Sequence, residues 1–155
     1  MNGVRFSPIE ELHLDSVLSI ERASNEIPWS RRAFELEIGH APGEFIVASR
    51  KGQVAGYAGA WIDADECHIT TIAVDQDVRR QGLGRQLMVE ILVRSRDRGA
   101  LCSTLEVRKS NTAAIAMYEA LGYVNCGTRR KYYPNDSEDA VIMWLHDLDK
   151  WVAPE

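Results

Sequence analysis

The chain has 155 residues, which fits one globular domain that is large enough to bury a core without disulfides or a structural metal. Hydrophobic residues make up 45% and charged residues 26%, and these values exclude disordered, collagen-like, coiled-coil and disulfide-scaffold proteins. The 18 Lys and Arg against 23 Asp and Glu give a net charge of −5, so nucleic acid is not an expected partner, because such binding depends mainly on neutralising phosphates.

The first half of the chain predicts short strands and two helices. The predicted strands are residues 4–6, 44–50, 54–62 and 67–74, and the predicted helices are residues 9–23 and 31–38. Ser30 is a good N-cap for the second helix, since it follows the break at Pro28. Lys51-Gly52 predicts a tight hairpin turn, and Asp63-Ala64-Asp65-Glu66 predicts an acidic turn before the fourth strand.

The second half predicts two longer helices and three more strands. One helix follows the glycine-rich segment near residue 82 and ends near Gly99, and the other covers residues 112–121 and ends at Gly122. The predicted strands are residues 104–108, 123–129 and 140–145. This order of elements predicts an α+β (mixed α/β) fold, in which helices pack against a central sheet.

Several other kinds of site and location are not expected. Residues 1–12 have no apolar signal-peptide core, and the longest apolar stretch, 54–62, is too short to span a bilayer. The odd number of widely spaced cysteines indicates reduced thiols in a cytoplasmic protein; these are Cys67, Cys102 and Cys126. The histidines show no metal-ligand spacing, so no metal is expected; these are His13, His40, His68 and His146. Without repeats or linkers, residues 1–155 are expected to form a single domain.

A phosphate-binding segment is predicted between a strand and a helix. Residues 79–85 read Arg79-Arg80-Gln81-Gly82-Leu83-Gly84-Arg85. Glycines allow backbone N–H groups to approach a ligand, the helix N-terminus adds partial positive charge, and three arginines add full charges. The segment lacks the third glycine of a dinucleotide-binding fingerprint and the Gly-Lys-Ser/Thr of a P-loop. The alternative is a glycine-rich turn with solvated arginines.

Two further residues have the chemistry of an acid–base pair. Glu106 alternates with Leu105 and Val107 on a strand, so it is either a solvent-facing residue or a general base whose pKa burial would raise. Tyr118 lies on the next helix on a face with Ala114 and Leu121, so it is either a core aromatic residue or a proton donor to a leaving thiolate.

These motifs together resemble the RimI-type branch of the GNAT acetyltransferases, which acetylate the N-terminal alanine of a small-subunit ribosomal protein. The segments that carry the resemblance span nearly the whole chain: Pro28-Trp29-Ser30, Ile72-Ala73-Val74-Asp75, residues 79–85, Leu105-Glu106-Val107-Arg108, Ser110-Asn111, Tyr118-Glu119, Leu121-Gly122 and Tyr132-Tyr133-Pro134. The segment from Val107 to Asn111 is also similar to eukaryotic and archaeal N-terminal acetyltransferases, which leaves strict alanine specificity open.

The resemblance implies a fold and a set of site residues. The fold is a mostly antiparallel, splayed sheet of about six to seven strands with about four helices, and acetyl-CoA is the co-substrate, without a metal. The implied base is Glu106 and the implied acid is Tyr118. The implied coenzyme contacts are Ile72, Ala73, Val74, Arg79, Arg80, Gln81, Gly82, Leu83, Gly84, Arg85 and Asn111, and the substrate contacts are Trp29, Tyr132 and Tyr133.

Some of these residues also have a purely structural interpretation. Asn111 is a good N-cap for the helix that begins at Thr112, and Tyr132 with Tyr133 is also typical of an aromatic pair at a sheet edge. Residues 147–155 extend beyond the family pattern, and we expect them to lie away from the chemistry.

The expected reaction is direct attack of a protein α-amine on acetyl-CoA, with the backbone near Val74 polarising the thioester carbonyl. The expected partner is a protein N-terminus, with no nucleic acid and no membrane, and the chain is expected to be a monomer or weak dimer. Three alternatives stay open: a GNAT enzyme for lysine or small amines, a coenzyme A-binding module without turnover, and a subunit that works only with a partner.

Overall fold

A computed structural model of residues 3–155 contains one seven-stranded sheet and four α-helices. The strands are β1 (Val4–Pro8), β2 (Gly43–Arg50), β3 (Gln53–Asp63), β4 (Glu66–Val74), β5 (Cys102–Arg108), β6 (Val124–Arg129) and β7 (Ala140–Leu145). The helices are α1 (Leu14–Ser24), α2 (Arg31–Glu35), α3 (Leu83–Asp97) and α4 (Thr112–Leu121). This confirms the predicted α+β fold.

The first two helices differ in extent from the prediction. The predicted helix over residues 9–23 begins instead with a 3₁₀ turn at Glu11–His13, and the α-helix starts at Leu14. Ser30 caps α2 as predicted, since its Oγ accepts from the backbone N–H of Ala33 at 3.1 Å. The helix ends at Glu35 rather than residue 38. Phe34 is buried in the core, and the residues after Glu35 form turns that lead toward β2.

The central feature of the sheet is the divergence of β4 from β5. The strand order is β1-β2-β3-β4-β5-β7-β6, and every neighbouring pair is antiparallel except β4 with β5. These two parallel strands pair only from Glu66 opposite Cys102 to His68 opposite Thr104. Beyond His68 the described part of β5 does not pair with β4, so the sheet splays and its middle opens into a cleft.

A β-bulge in β4 changes which face of the sheet its side chains occupy. Gly59 of β3 pairs with Thr71, whereas Ala60 pairs with Ile69, so Thr70 is the extra residue. Before the bulge, Ile69 packs in the core cluster around α3, and after it Ala73 packs in the cluster around α1 and α2. The bulge therefore turns the residues after it toward the α1–α2 face.

Two hydrophobic clusters hold the sheet between the helices. The larger cluster includes the buried face of α3 and reaches α4, and the smaller one joins α1, α2, β2 and β3. In the smaller cluster the Phe45 ring lies where a Cβ on Gly59 would be only 2.3 Å from it, so only glycine fits at this position. The two clusters position opposite walls of the cleft.

Candidate active site

The cleft between the diverging ends of β4 and β5 has a volume of about 510 Å³. It is lined by both strands, by the segment between α1 and α2, by the N-terminus of α4 and by the loop before β7. Six of the predicted site residues are among its lining residues: Trp29, Ile72, Glu106, Asn111, Tyr118 and Tyr133. The splayed sheet thus brings the two predicted catalytic residues to one cavity.

The main residue that the sequence analysis missed is His68. Its Nε2 lies 2.6 Å from Oε2 of Glu106, and the two side chains are 37% and 17% exposed. His68 faces Thr104 in the short parallel pairing of β4 and β5, two residues before Glu106. Alternation along β4 places His68 on the other face of the sheet from Cys67 and Ile69. The sequence did not show which strand pairs with β4, and therefore not that His68 meets Glu106.

The His68 contact corrects the expected titration of Glu106. Although burial opposes it, the hydrogen bond from His68 lowers the pKa of Glu106 below its ordinary value. The same hydrogen bond raises the pKa of His68, again against the effect of burial. The expectation of a raised carboxyl pKa was therefore wrong, because a close imidazole outweighs partial desolvation. When the pair holds one proton, that proton lies mainly on the imidazole, and the two groups titrate together.

Tyr118 approaches the cleft from the opposite side of the sheet. Its side chain is 6% exposed, lies in the cluster around α3 and lines the cleft. Its ring centroid is 5.8 Å from that of Tyr123, whose hydroxyl lies 2.7 Å from Oγ of Ser103. Burial raises the pKa of Tyr118 to about 12, so the phenol is protonated at neutral pH. It is therefore a core aromatic residue that also lines the cleft.

Residues 79–85 form a turn that opens α3, as predicted. Gly82 is the N-cap with a φ of 82°, a left-handed conformation that favours glycine, and Arg80 adopts the same region with a φ of 64°. Gly84 lies beside Val74 and Met117, so the turn packs between the ends of β4 and α4. The N–H groups of the first turn of α3 have no capping side chain, and such a helix end is suited to bind an anion.

The individual members of this turn have different surroundings. Arg79 is used structurally, since it donates to the Val74 carbonyl at 3.2 Å and to Oγ of Ser24 at 3.1 Å. Gln81 accepts from Arg50 at 3.0 Å, and Leu83 is buried in the core. Arg80 is exposed and free to meet a ligand, whereas Leu83 contributes only its backbone.

The C-terminal segment reaches the same turn, which was not expected. Arg85 donates to the carbonyl of Pro154, and Arg96 donates to the carbonyl of Trp151 at 3.1 Å. The indole of Trp151 donates to the Leu121 carbonyl at 2.8 Å. Residues 151–154 therefore run beside α3 and α4 and contact a predicted coenzyme residue, because Trp151 packs against the core cluster and guides them there.

A buried carboxylate holds the α1–α2 wall of the cleft. Glu21 is fully buried and accepts from the Tyr57 phenol, from the backbone N–H of Trp29 at 2.9 Å and from Nδ2 of Asn25 at 2.8 Å. The Trp29 ring packs against that of Phe34 in a tilted arrangement, with centroids 5.1 Å apart. The hydrogen bonds to Glu21 thus hold residues 25–29 in place, and they compensate the cost of burying this polar side chain.

The opposite wall is organised around Arg108. Its guanidinium lies 4.0 Å from the centroid of the Tyr133 ring and pairs with carboxylates from both sides of the cleft. These are Glu26 at 3.3 Å, Asp136 at 3.1 Å and Glu138 at 3.1 Å. Tyr133 therefore lines the cleft, whereas Tyr132 packs edge-on against it, is 40% exposed and does not line the cleft.

Asn111 and Ala73 are also placed by the structure. The side chain of Asn111 accepts from the Ala114 N–H at 3.2 Å, so its N-cap role is confirmed, and the residue also lines the cleft. Ala73 is buried in the cluster beside α1, which leaves only its backbone for a ligand. Within residues 3–155, no group of three or more His, Cys, Asp or Glu side chains could hold a metal, and no helix is long and apolar enough to cross a membrane.

The pair of His68 and Glu106 predicts a pH-dependent stability. The raised imidazole pKa gives stability that is complete below its ordinary 6.5 and lost as pH rises through the folded value. The lowered carboxyl pKa gives stability above its ordinary 4.5 that is lost as pH falls through the folded value. We therefore expect His68→Asn to lower Tm most between these values, by about 1–3 °C for this partly exposed pair, and less as pH rises through the folded pKa of His68.

Thermal unfolding of both proteins between pH 4 and 9 measures this difference. The double variant H68N/E106Q is the control, because a second substitution should add little once the pair is lost. A Tm difference that stays constant over the whole pH range would contradict the coupling.

The chain matches the Acetyltransferase (GNAT) family over residues 14–123. It is 39% identical over 141 residues to the [ribosomal protein bS18]-alanine N-acetyltransferase of Escherichia coli (strain K12), covering 90% of this chain and 95% of that protein. It is 36% identical over 144 residues to the putative enzyme of the same name from Bacillus subtilis (strain 168), covering 92% of this chain and 94% of that protein.

The fold is similar to that of a solved structure of the same kind. The crystal structure of the ribosomal-protein-S18-alanine N-acetyltransferase from Escherichia coli superposes with a TM-score of 0.86 and 36% sequence identity. The match covers 98% of this chain and 97% of that one, so the splayed sheet and its helices correspond almost throughout.

Proposed function

Because this chain belongs to the GNAT acetyltransferase family, we propose that it transfers the acetyl group of acetyl-CoA to the α-amine of a protein N-terminus, most specifically the N-terminal alanine of a small-subunit ribosomal protein. One observation carries this proposal. Glu106, which is paired with His68, and Tyr118 line one cleft, and the arginine- and glycine-rich start of α3 lies beside Val74, at the end of a strand that lines this cleft.

The described residues fit acetyl-CoA at the end of the cleft near α3. The uncapped N-terminus of α3 and the exposed Arg80 suit a diphosphate, whose charge is stabilised by backbone N–H groups and by cations. Beyond His68 the β5-facing edge of β4 is free along residues 69–74, so its peptide groups can pair with the amides of an extended pantetheine arm. Acetyl-CoA supplies a thioester, whose carbonyl carbon is the electrophile.

The pair of His68 and Glu106 serves as the proton acceptor of the reaction. When His68 is neutral, the pair takes up one proton with the raised imidazole pKa rather than with the lowered carboxyl pKa. The raised imidazole pKa makes the pair a stronger proton acceptor than an isolated carboxylate. An α-amine, with a pKa of about 8, gives up its proton more readily than a lysine amine, with a pKa of about 10.4, so the pair suits an N-terminus better. Glu106 orients the imidazole and stabilises it once it is charged.

In the proposed reaction one bond forms, one bond breaks and one proton moves. The amine nitrogen forms a bond to the carbonyl carbon, its proton passes to the pair of His68 and Glu106, and the carbon–sulfur bond breaks. Tyr118 donates a hydrogen bond to the departing sulfur. With a phenol pKa of about 12 against about 8.5 for a thiol, complete proton transfer would cost about 5 kcal/mol, so the phenol stabilises the thiolate mainly through this hydrogen bond.

Turnover by the purified chain tests the proposed function. We expect a peptide that begins with the alanine of a small-subunit ribosomal protein to be acetylated on its α-amine, with release of coenzyme A thiol. The same peptide with a blocked N-terminus should not be acetylated, because its only remaining amines are those of lysine side chains, which the proposed reaction does not use. Thiol release and mass spectrometry of the product locate the acetyl group.

Acetylation of the blocked peptide, or of free polyamines in preference to the Ala-starting peptide, would contradict α-amine transfer. A purified chain that binds acetyl-CoA without any turnover would instead indicate a binding module or the need for a partner.

We propose that residues 1–155 act as one domain in the cytoplasm, where three unpaired cysteines are stable. We further propose a monomer or weak dimer that uses neither nucleic acid nor membrane as a partner. Size-exclusion chromatography with light scattering measures the oligomeric state.

A further inference from the structure

The hydroxyl of Thr71 is unusual among the polar groups of residues 3–155. Its Oγ1 is the buried side-chain atom in this range for which no hydrogen-bond partner is found. Thr71 is 7% exposed and lines the cleft. A buried hydroxyl without a partner destabilises a fold, and native proteins keep few such groups. The hydroxyl therefore calls for an explanation other than stability.

The bulge at Thr70 places Thr71 on the face of the sheet that carries the proton acceptor. Ile69 packs in the cluster around α3, so His68 occupies the opposite face before the bulge. After the bulge, Thr71 shares that opposite face with Ala73, which packs in the cluster beside α1. Thr71 is three positions from His68, which is about 10 Å or less along a strand.

The neighbouring Tyr57 hydroxyl does not serve Thr71. The Tyr57 phenol donates its proton to the buried side chain of Glu21. The Oγ1 atom of Thr71, which has no partner among residues 3–155, can therefore accept a hydrogen bond from a group inside the cleft.

We propose that Thr71 Oγ1 accepts a hydrogen bond from a backbone N–H group close to the amino terminus of the acceptor protein. This assigns Thr71 as a substrate-binding residue of the site, and it rests on the proposed function. An acceptor whose amine reaches His68 and Glu106 lies on the same face of β4, and extended residues span about 3.3–3.6 Å each. A backbone N–H within about the first three residues of such an acceptor is therefore within reach of Thr71.

The substitution Thr71→Val tests this assignment, since it replaces the hydroxyl by a methyl group of the same size. We expect KM for the Ala-starting peptide to rise about tenfold, while KM for acetyl-CoA changes less than twofold. We also expect Tm to stay the same or rise, because the variant no longer buries an unpaired hydroxyl. Steady-state kinetics and thermal unfolding measure these quantities. Thr71→Ser is the matched control, and it should keep the peptide KM within about twofold of the wild type.

The possible outcomes separate the inference from the proposed function. If the wild type acetylates the peptide and Thr71→Val leaves its KM unchanged, the hydroxyl does not bind the acceptor and the inference alone is overturned. If Thr71→Val lowers Tm and weakens acetyl-CoA as much as peptide, the role is structural and the inference is also overturned. If the wild type acetylates no N-terminal peptide, the proposed function fails, and the inference fails with it.

Discussion

Replacing Glu106 by glutamine should reduce kcat by about 10²- to 10⁴-fold, the range that a general base contributes. Glutamine keeps the size of the side chain but removes the charge that raises the pKa of His68. The imidazole then becomes a weaker proton acceptor, and its positive form loses the carboxylate that lies 2.6 Å away. Steady-state rates with saturating peptide and acetyl-CoA measure the loss.

Binding of acetyl-CoA is the internal control for Glu106→Gln. Its Kd, measured by calorimetry, should change less than about twofold, because the predicted diphosphate-binding site lies at residues 79–85, apart from Glu106. Glu119→Gln is the matched variant, since Glu119 is an exposed carboxylate on α4 that does not line the cleft. Its kcat should equal that of the wild type. A Glu106→Gln enzyme that keeps a rate within threefold of the wild type would rule out the assigned role.

Replacing Tyr118 by phenylalanine should reduce kcat by about 10²- to 10³-fold, the usual effect of losing one hydrogen bond donor to a developing negative charge. The ring stays buried in the core, so folding should be retained. Because the phenol pKa of about 12 favours a hydrogen bond over complete proton transfer, the loss should appear in kcat, with both KM values changed less than about threefold.

Tyr123→Phe is the matched control for Tyr118→Phe. Tyr123 is a buried neighbour whose ring centroid lies 5.8 Å from that of Tyr118, and its hydroxyl is 2.7 Å from Oγ of Ser103. Its loss should lower Tm, because it leaves the buried Ser103 without this partner, but it should not change kcat. Equal effects of the two substitutions on kcat would show that Tyr118 acts only through packing.

Local signals in the sequence predicted several elements with the correct limits. The helix over residues 112–121 is observed with these bounds, because Asn111 caps its start and Gly122 ends it in a left-handed conformation with a φ of 110°. The strand over residues 140–145 also has the predicted bounds. The helix predicted to reach residue 38 ends at Glu35, since no capping residue marks its end and tertiary packing decides where the chain turns.

The structure brings several of the predicted site residues together, and it adds contacts that the sequence analysis did not predict. Glu106, Tyr118 and Tyr133 line one cleft as the family resemblance implied, although their roles stay predictions. The sequence analysis missed His68, and it predicted the wrong direction for the Glu106 pKa, because both depend on the short parallel pairing of β4 with β5. It also missed the contact between Arg85 and Pro154, which joins residues 69 positions apart.

The amino-acid sequence by itself determined the order of strands and helices, the glycine-rich start of α3 and the candidate acid and base. Each of these depends on residues that are close along the chain: caps, turns, alternation and a seven-residue motif. Only the tertiary structure decided which side chains meet. One extra residue at Thr70 reverses the face on which Thr71 and Ala73 lie, and the divergence of β4 and β5 opens the cleft. Strand pairing and splay join distant segments, so no local pattern contains them.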